Sequence, residues 1–337
     1  MDGVLNLLKP PGMTSHDVVD VVRRAAGLRR VGHTGTLDPG AAGVLVCCLG
    51  RATRLSEILM ETDKEYRVEL RLGIRTSTGD AYGEPLPPDP TGGTSKADRS
   101  VEWNKGKARP PLTRSALEAV LKRFTGEILQ VPPMVSAIHH EGARLYQLAR
   151  RGEAVELQPR SVTVHRIEIL WVNRDRSSSL LEIACGRGTY IRKLCADIGD
   201  ALGLGGYAHF MVRTRSGRFQ IGEAVTLEEL ADVAGRGALT EVVMSMDQAV
   251  AHLPAVDLPE RSVSEVLNGH AIPLWKLGEA ALAEDGGAGP AGARLVRLRS
   301  RRGALIALAR IDAGMLRPVK VLAGAEGGLV AHRPRPG

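Results

Sequence analysis

The stretch "VGHTGTLDPGAAGVL", residues 31–45, sets one carboxylate, Asp38, among glycines at 32, 35, 40 and 43 and ahead of an apolar run. Three chemistries suit an acid in a glycine-rich turn: cradling a phosphate, holding a metal, or a reaction that needs a single carboxylate. A phosphate cradle requires G-x-x-x-x-G-K-[ST], or G-x-G-x-x-G opening a helix, and neither spacing occurs here. A metal needs several donors, whereas Asp38 has His33 nearby and no carboxylate in the next eighteen residues. That leaves a single-acid site. Pro39 biases Asp38 towards extended backbone, and the glycines admit tight turns and close approach of a ligand. The plainer alternative is an Asp-Pro turn that closes a loop ahead of a strand.

A loop of this kind needs rigid neighbours, and the flanking patterns supply them. "TSHDVVDVVRRAAG" predicts a helix of about three turns, with Ser15 as N-cap and Gly27 as its stop. "GVLVCCLG" reads as a buried strand and "TRLSEILMETD" as helical. In "KEYRVELRLG" Tyr66, Val68, Leu70 and Leu72 alternate with charged residues, so Tyr66 shares the core side of a half-buried strand. A helix is predicted from Arg114 to Phe124, strands over "SVTVHRIEILWV" and "SLLEIACG", and a helix over "TYIRKLCADIGDALG". Arg192 lies in the first turn of that last helix, where a cation costs about 0.3–1 kcal/mol unless an anion compensates. Asp38 is a natural partner.

Interleaved strands and helices to about residue 250 predict a mixed α/β (α+β) domain over 1–250. Its insert at 84–112, rich in Pro, Gly and charge, reads as a long surface loop. Prolines at 254 and 259 mark a boundary, and short β-like runs over 251–325 predict a small all-β module before a tail at 326–337.

Apolar residues at 43% and charged residues at 25% of 337 suit a globular protein, while aromatics are scarce at 3%. The net charge of +7 is concentrated: from Arg294 onward ten Lys or Arg face only Asp312 and Glu326. Clustered positive charge suits a polyanion such as nucleic acid, or else a solvated basic edge. The four cysteines make no C-x-x-C pair and sit in apolar runs, as core residues in a reducing compartment do. Neither a signal peptide nor a membrane span is indicated, and a cytoplasmic protein is expected.

The segments "LNLLKPPGMTS", "GHTGTLDPGAAGVL", "DKEYRVELRLG", "QVPPMVSA", "CGRGTYIRKL" and "FMVRTRSGRF" occur in an order that resembles the TruB family, the bacterial tRNA pseudouridine 55 synthases. The likeness covers roughly residues 3–220. The C-terminal module looks, more loosely, like a PUA domain, a small β-barrel that binds RNA. The resemblance implies a pseudouridine synthase fold, with a central, largely antiparallel sheet flanked by helices. It implies an isomerase that acts on a uridine of the tRNA T-loop, position 55, without cofactor, metal, membrane or protein partner, and as a monomer. Two other readings remain: a non-catalytic tRNA chaperone, and the subunit of a guide-RNA-dependent pseudouridine synthase.

The implied chemistry is consistent with one acid. The bond from ribose C1′ to uracil N1 breaks, the base turns, and C1′ joins C5. Glycoside hydrolysis generally uses two carboxylates, one to protonate a poor leaving group. Uracil leaves as a delocalised anion, so one carboxylate suffices, and the resemblance gives that role to Asp38. Attack on the base, attack on C1′ and removal of a ribose proton are all open to it. By the same resemblance Arg192 pairs with Asp38 and keeps it ionised, Tyr66 stacks on the uracil, and Tyr190 touches it. Met211, where leucine is common, forms an apolar wall, and His33 fills the space the flipped nucleotide leaves. Lys9 is read as a support of the fold or of the site's floor rather than a reacting group. The chain departs from the family pattern at His139 and Arg187, where lysine is common, and in the length of the 84–112 insert.

Overall fold

The alternating and helical patterns of the sequence assemble around one large sheet. A computed structural model describes residues 1–86, 113–134, 136, 139–140, 143–145, 148, 151, 153, 155, 157–173, 178–277 and 294–323. The sheet contains β1 (Gly3–Lys9), β2 (Val31–His33), β3 (Ala42–Leu49), β4 (Lys64–Leu72), β5 (Gly126–Gln130), β6 (Arg160–Val172), β7 (Ser178–Cys185), β8 (Gly206–Ser216) and β9 (Phe219–Gln220). Its main path runs β1-β3-β8-β4-β7-β6-β5, with β2 beside β3 and β9 beside β8. Every pairing is antiparallel except β3 with β8, where Val212 and Arg213 meet Ala42 and Gly43. The predicted mixed fold with a largely antiparallel sheet is what the chain adopts.

Helices α1 (Ser15–Ala26), α2 (Arg114–Leu121), α3 (Ile191–Ala201) and α4 (Leu227–Gly235) bury their apolar stripes in one cluster with one face of this sheet. The first of them begins one residue earlier than predicted. Thr14 is its N-cap: the Thr14 hydroxyl accepts from Asp17 N, and the Asp17 carboxylate accepts from Thr14 N. This reciprocal box satisfies two otherwise free amides, an arrangement Ser15 lacks because Val18 stands three residues after it. Ser15 is buried instead and bonds both backbone groups of Leu37, accepting from N at 2.8 Å and donating to O at 3.0 Å. Gly27 closes the helix at φ +62°, as predicted.

The strand β3 is buried on both faces. Leu45, Cys47 and Leu49 enter the helix-side cluster, while Val44, Val46 and Cys48 enter a second cluster with Val4, Leu305, Leu308 and Leu322. The last three come from the C-terminal unit, a five-stranded sheet of β10 (Ala255–Leu258), β11 (Ile272–Pro273), β12 (Arg294–Ser300), β13 (Leu305–Asp312) and β14 (Met315–Val321) in the order β10-β12-β13-β14-β11. Helix α5 (Glu260–Leu267) packs against it. Several of its basic residues serve internal contacts: Arg297 donates to Leu253 O at 2.8 Å and pairs with Asp247 at 2.9 Å, and Lys320 pairs with Glu57.

All four cysteines are free and buried, and burial pushes the thiols of Cys48 and Cys185 up to about 11. No helix among the described residues is long and apolar enough to cross a membrane. The insert from residue 87 and the tail lie outside the described residues.

Leu181 is fully buried at the centre of β7. Leu181→Ala is expected to lower stability by about 2–5 kcal/mol through lost burial and the cavity left behind, measured by urea unfolding of the full chain.

Candidate active site

Asp38 sits on the loop between β2 and β3, whose backbone is anchored from several sides. Ser15 grips Leu37 from one side. The Lys9 ammonium, fully buried, donates to Pro10 O at 2.9 Å, Pro39 O at 3.2 Å and Ala41 O at 2.7 Å. Gly12 N donates to Pro39 O, and Ala41 N closes a turn on Asp38 O. Lys9 thus braces the backbone beneath Asp38; its ammonium is lowered to about 8 by burial, with Asp38 opposing that fall.

The carboxylate meets a cation at the start of α3. Arg192 Nε lies 2.8 Å from one Asp38 oxygen, and its Nη2 donates to the other at 3.0 Å. This two-point contact fixes both distance and plane. The Arg192 side chain is 4% exposed and that of Asp38 33%, so the arginine is the buried half and the acid the accessible half. Arg192 also donates to Thr78 O at 2.8 Å and approaches Asp80 at 3.6 Å. Burial is the largest influence on Asp38 and raises its carboxyl above the ordinary 3.8; Arg192 lowers it, Asp80 raises it, and the net direction is up. The predicted pairing is present, but burial outweighs its ionising effect.

The pair lines a cleft of about 740 Å³ whose walls include Tyr66, Tyr190, Met211 and Arg213. Tyr66 projects from β4, 9% exposed, with its phenol raised by burial. Tyr190 precedes α3, where Gln130 accepts from its N at 2.8 Å and donates to its O at 3.1 Å. Met211 reaches the wall through an irregularity in β8. The register against β4 slips between Ala208 and Phe210, so buried positions change from 206 and 208 to 211 and 213. A bulge of this kind re-aims side chains, and here it turns Met211 and Arg213 towards the site.

Asp38, Arg192, Tyr66, Tyr190 and Met211 therefore converge. His33 does not line the cleft; it lies on β2, where its Nδ1 accepts from Gly35 N at 3.3 Å. Arg187 stands at the cleft and pairs with Glu61 at 2.6 Å. The side chain of His139 lies outside the described residues. Among the described residues no group of three or more His, Cys, Asp or Glu is placed to hold a metal ion.

Sequence reasoning missed Asp80, Lys64 and Arg213. Lys64, also in the lining, is lowered to about 8, chiefly by burial. Arg213 was within reach, since it lies two residues past Met211 on a strand and so shares its face. Asp80 carries no signal beyond a carboxylate in a glycine-containing turn.

Residues 23–191 match the N-terminal domain of TruB family pseudouridylate synthases, and residues 192–251 match the C-terminal domain of tRNA pseudouridylate synthase B. The chain belongs to the TruB family. Among its relatives, a tRNA pseudouridine synthase B of Pelotomaculum thermopropionicum is 43% identical over 97% of this chain and 99% of that protein. One of Stutzerimonas stutzeri is 40% identical over 81% of this chain and 83% of that protein. Among solved structures, a chain of a Cbf5-Nop10-Gar1 complex superposes with TM-score 0.69 at 28% identity, covering 95% of this chain and 85% of that one. A chain of an H/ACA RNP bound to a substrate RNA containing 2'-deoxyuridine gives 0.68 at 26%, covering 96% and 85%. The TruB-family chain thus has the fold of pseudouridine synthases around the Asp38 cleft.

Asp80 and Arg192 act on Asp38 with opposite sign. Asp80→Asn, which removes a negative neighbour, is expected to lower the titration midpoint of the Asp38 carboxyl, and Arg192→Gln to raise it, both followed by carboxyl carbon NMR.

Proposed function

We propose that this chain isomerises a uridine of the tRNA T-loop, position 55, to pseudouridine, with Asp38 as the single catalytic acid. The observation that carries the reading is the two-point Asp38–Arg192 contact at the edge of a cleft walled by two tyrosines and a methionine. The reaction is internally balanced: C1′–N1 breaks, C1′–C5 forms, the proton on C5 departs and N1 gains one.

Each wall residue has a task in that sequence. A uridine reaches Asp38 only when extruded, which costs a few kcal/mol, and stacking on an aromatic such as Tyr66 returns about 1–3 kcal/mol. Met211 confines the other face, Tyr190 borders the base, and His33, beside the cleft, occupies the gap in the RNA. Arg192 aims the half-buried carboxylate while the uracil carries its own negative charge. No cofactor or metal enters the reaction.

The C-terminal sheet grips the RNA by charge, through exposed residues such as Arg301, Arg302 and Arg310. Phosphate contacts of this kind weaken as salt rises. The relatives over 40% identical along nearly the whole chain are named tRNA pseudouridine synthase B, whereas the chains from the H/ACA RNP and the Cbf5-Nop10-Gar1 complex lie at 26% and 28%. That contrast supports action on tRNA without a guide RNA; action as a monomer without a protein partner is part of the same proposal.

The purified chain, incubated with unmodified tRNA alone and assayed by chemical labelling, is expected to form pseudouridine at the T-loop. Asp38→Asn is expected to cut that rate by about three orders of magnitude or more, the scale of losing a group that acts in the transition state, with tRNA binding retained. Unchanged pseudouridine formation in Asp38→Asn points to an idle aspartate. Activity that appears only with a guide RNA points to the assembly subunit.

A further inference from the structure

We infer that Arg213 is a positioning residue for Asp38: its buried guanidinium ties both ends of the Asp38 loop to β8 and so holds the carboxylate where Arg192 meets it. The role rests on the reaction proposed above, which provides its readout.

The contacts come from both sides of the loop. Arg213 Nη2 donates to Gly35 O at 3.0 Å, Nη1 reaches Thr36 O at 3.5 Å, and Nε donates to Val44 O at 2.7 Å. One planar group therefore gathers carbonyls that precede and follow Asp38. The backbone of the same residue is the other half of the closure. Gly43 pairs with Arg213 in the one parallel ladder of the sheet, at φ +110°, and a Cβ there would lie 2.2 Å from Arg213 O. Arg213 is 3% exposed, and among the described residues its guanidinium meets these carbonyls and the Tyr66 phenol rather than a carboxylate.

A buried cation satisfied by carbonyls makes loop closure and charge burial depend on each other. If the loop moves, the guanidinium loses its acceptors, and an unsatisfied buried charge is costly. The loop is held closed for the same reason. Arg213 also stands opposite Tyr66 in the β8–β4 register and interacts with its phenol, so one residue fixes the acid relative to the stacking ring. Lysine cannot replace it, because an ammonium has no planar fork to serve acceptors on both ends of the loop.

A merely structural arginine alters stability; a positioning residue alters turnover of molecules that are folded. The test uses the full chain with Arg213→Lys and Gly43→Ala, singly and together, and normalises each rate to the folded fraction. With a T-arm RNA hairpin, kcat is expected to fall about 100-fold in either single variant, the scale of a small misplacement of a reacting group, while RNA affinity stays within about threefold. The Asp38 titration midpoint is expected to move in both, and the double variant to be no slower than the worse single one. The inference is overturned if folded Arg213→Lys turns over within about threefold of the parent, if RNA affinity falls in step with kcat, or if the two losses multiply. Full turnover in Asp38→Asn refutes the proposed reaction instead; an inactive Asp38→Asn beside a fully active Arg213→Lys refutes this inference alone.

Discussion

The contact between Asp38 and Arg192 is the constraint around which the site is arranged. A guanidinium held almost wholly out of water at the positive end of a helix is unfavourable on two counts, desolvation and the helix field. Only a nearby anion relieves both, and the Asp38 loop delivers one. The demand then spreads outward. Ser15 on α1, Lys9 on β1 and the Thr78–Asp80 turn all bind backbone or side chain within the pair's immediate surroundings. The carboxylate is left as the accessible member of the pair.

Much of this was legible in short-range pattern. The alternation of Tyr66, Val68, Leu70 and Leu72 placed β4 and the inward side of Tyr66, because a half-buried strand leaves a period of two. The unbroken apolar run of β3 announced burial on both faces, though not that the two faces would serve different clusters. The sequence also held the true N-cap of α1: Thr14 has an acid three residues on and Ser15 does not, so the capping box decides between two otherwise suitable residues.

What escaped sequence reading depends on register. The slip between Ala208 and Phe210 is invisible in composition, yet it determines that Met211 and Arg213, rather than their neighbours, face the site. Asp80 becomes part of the acid's environment only once the turn after β4 folds back over α3. The roles of Tyr190 and Met211 came from family likeness, and the structure supplies their convergence.

The double burial of β3 has a bearing on how the molecule can be divided. Val44, Val46 and Cys48 rest against Leu305, Leu308 and Leu322, so the strand that leaves the Asp38 loop is also the floor on which the C-terminal sheet stands. A chain cut after residue 251 would expose an apolar stripe directly behind the Asp38 loop. The two sheets therefore share a seam, and evolution or engineering cannot exchange the second without resurfacing the first.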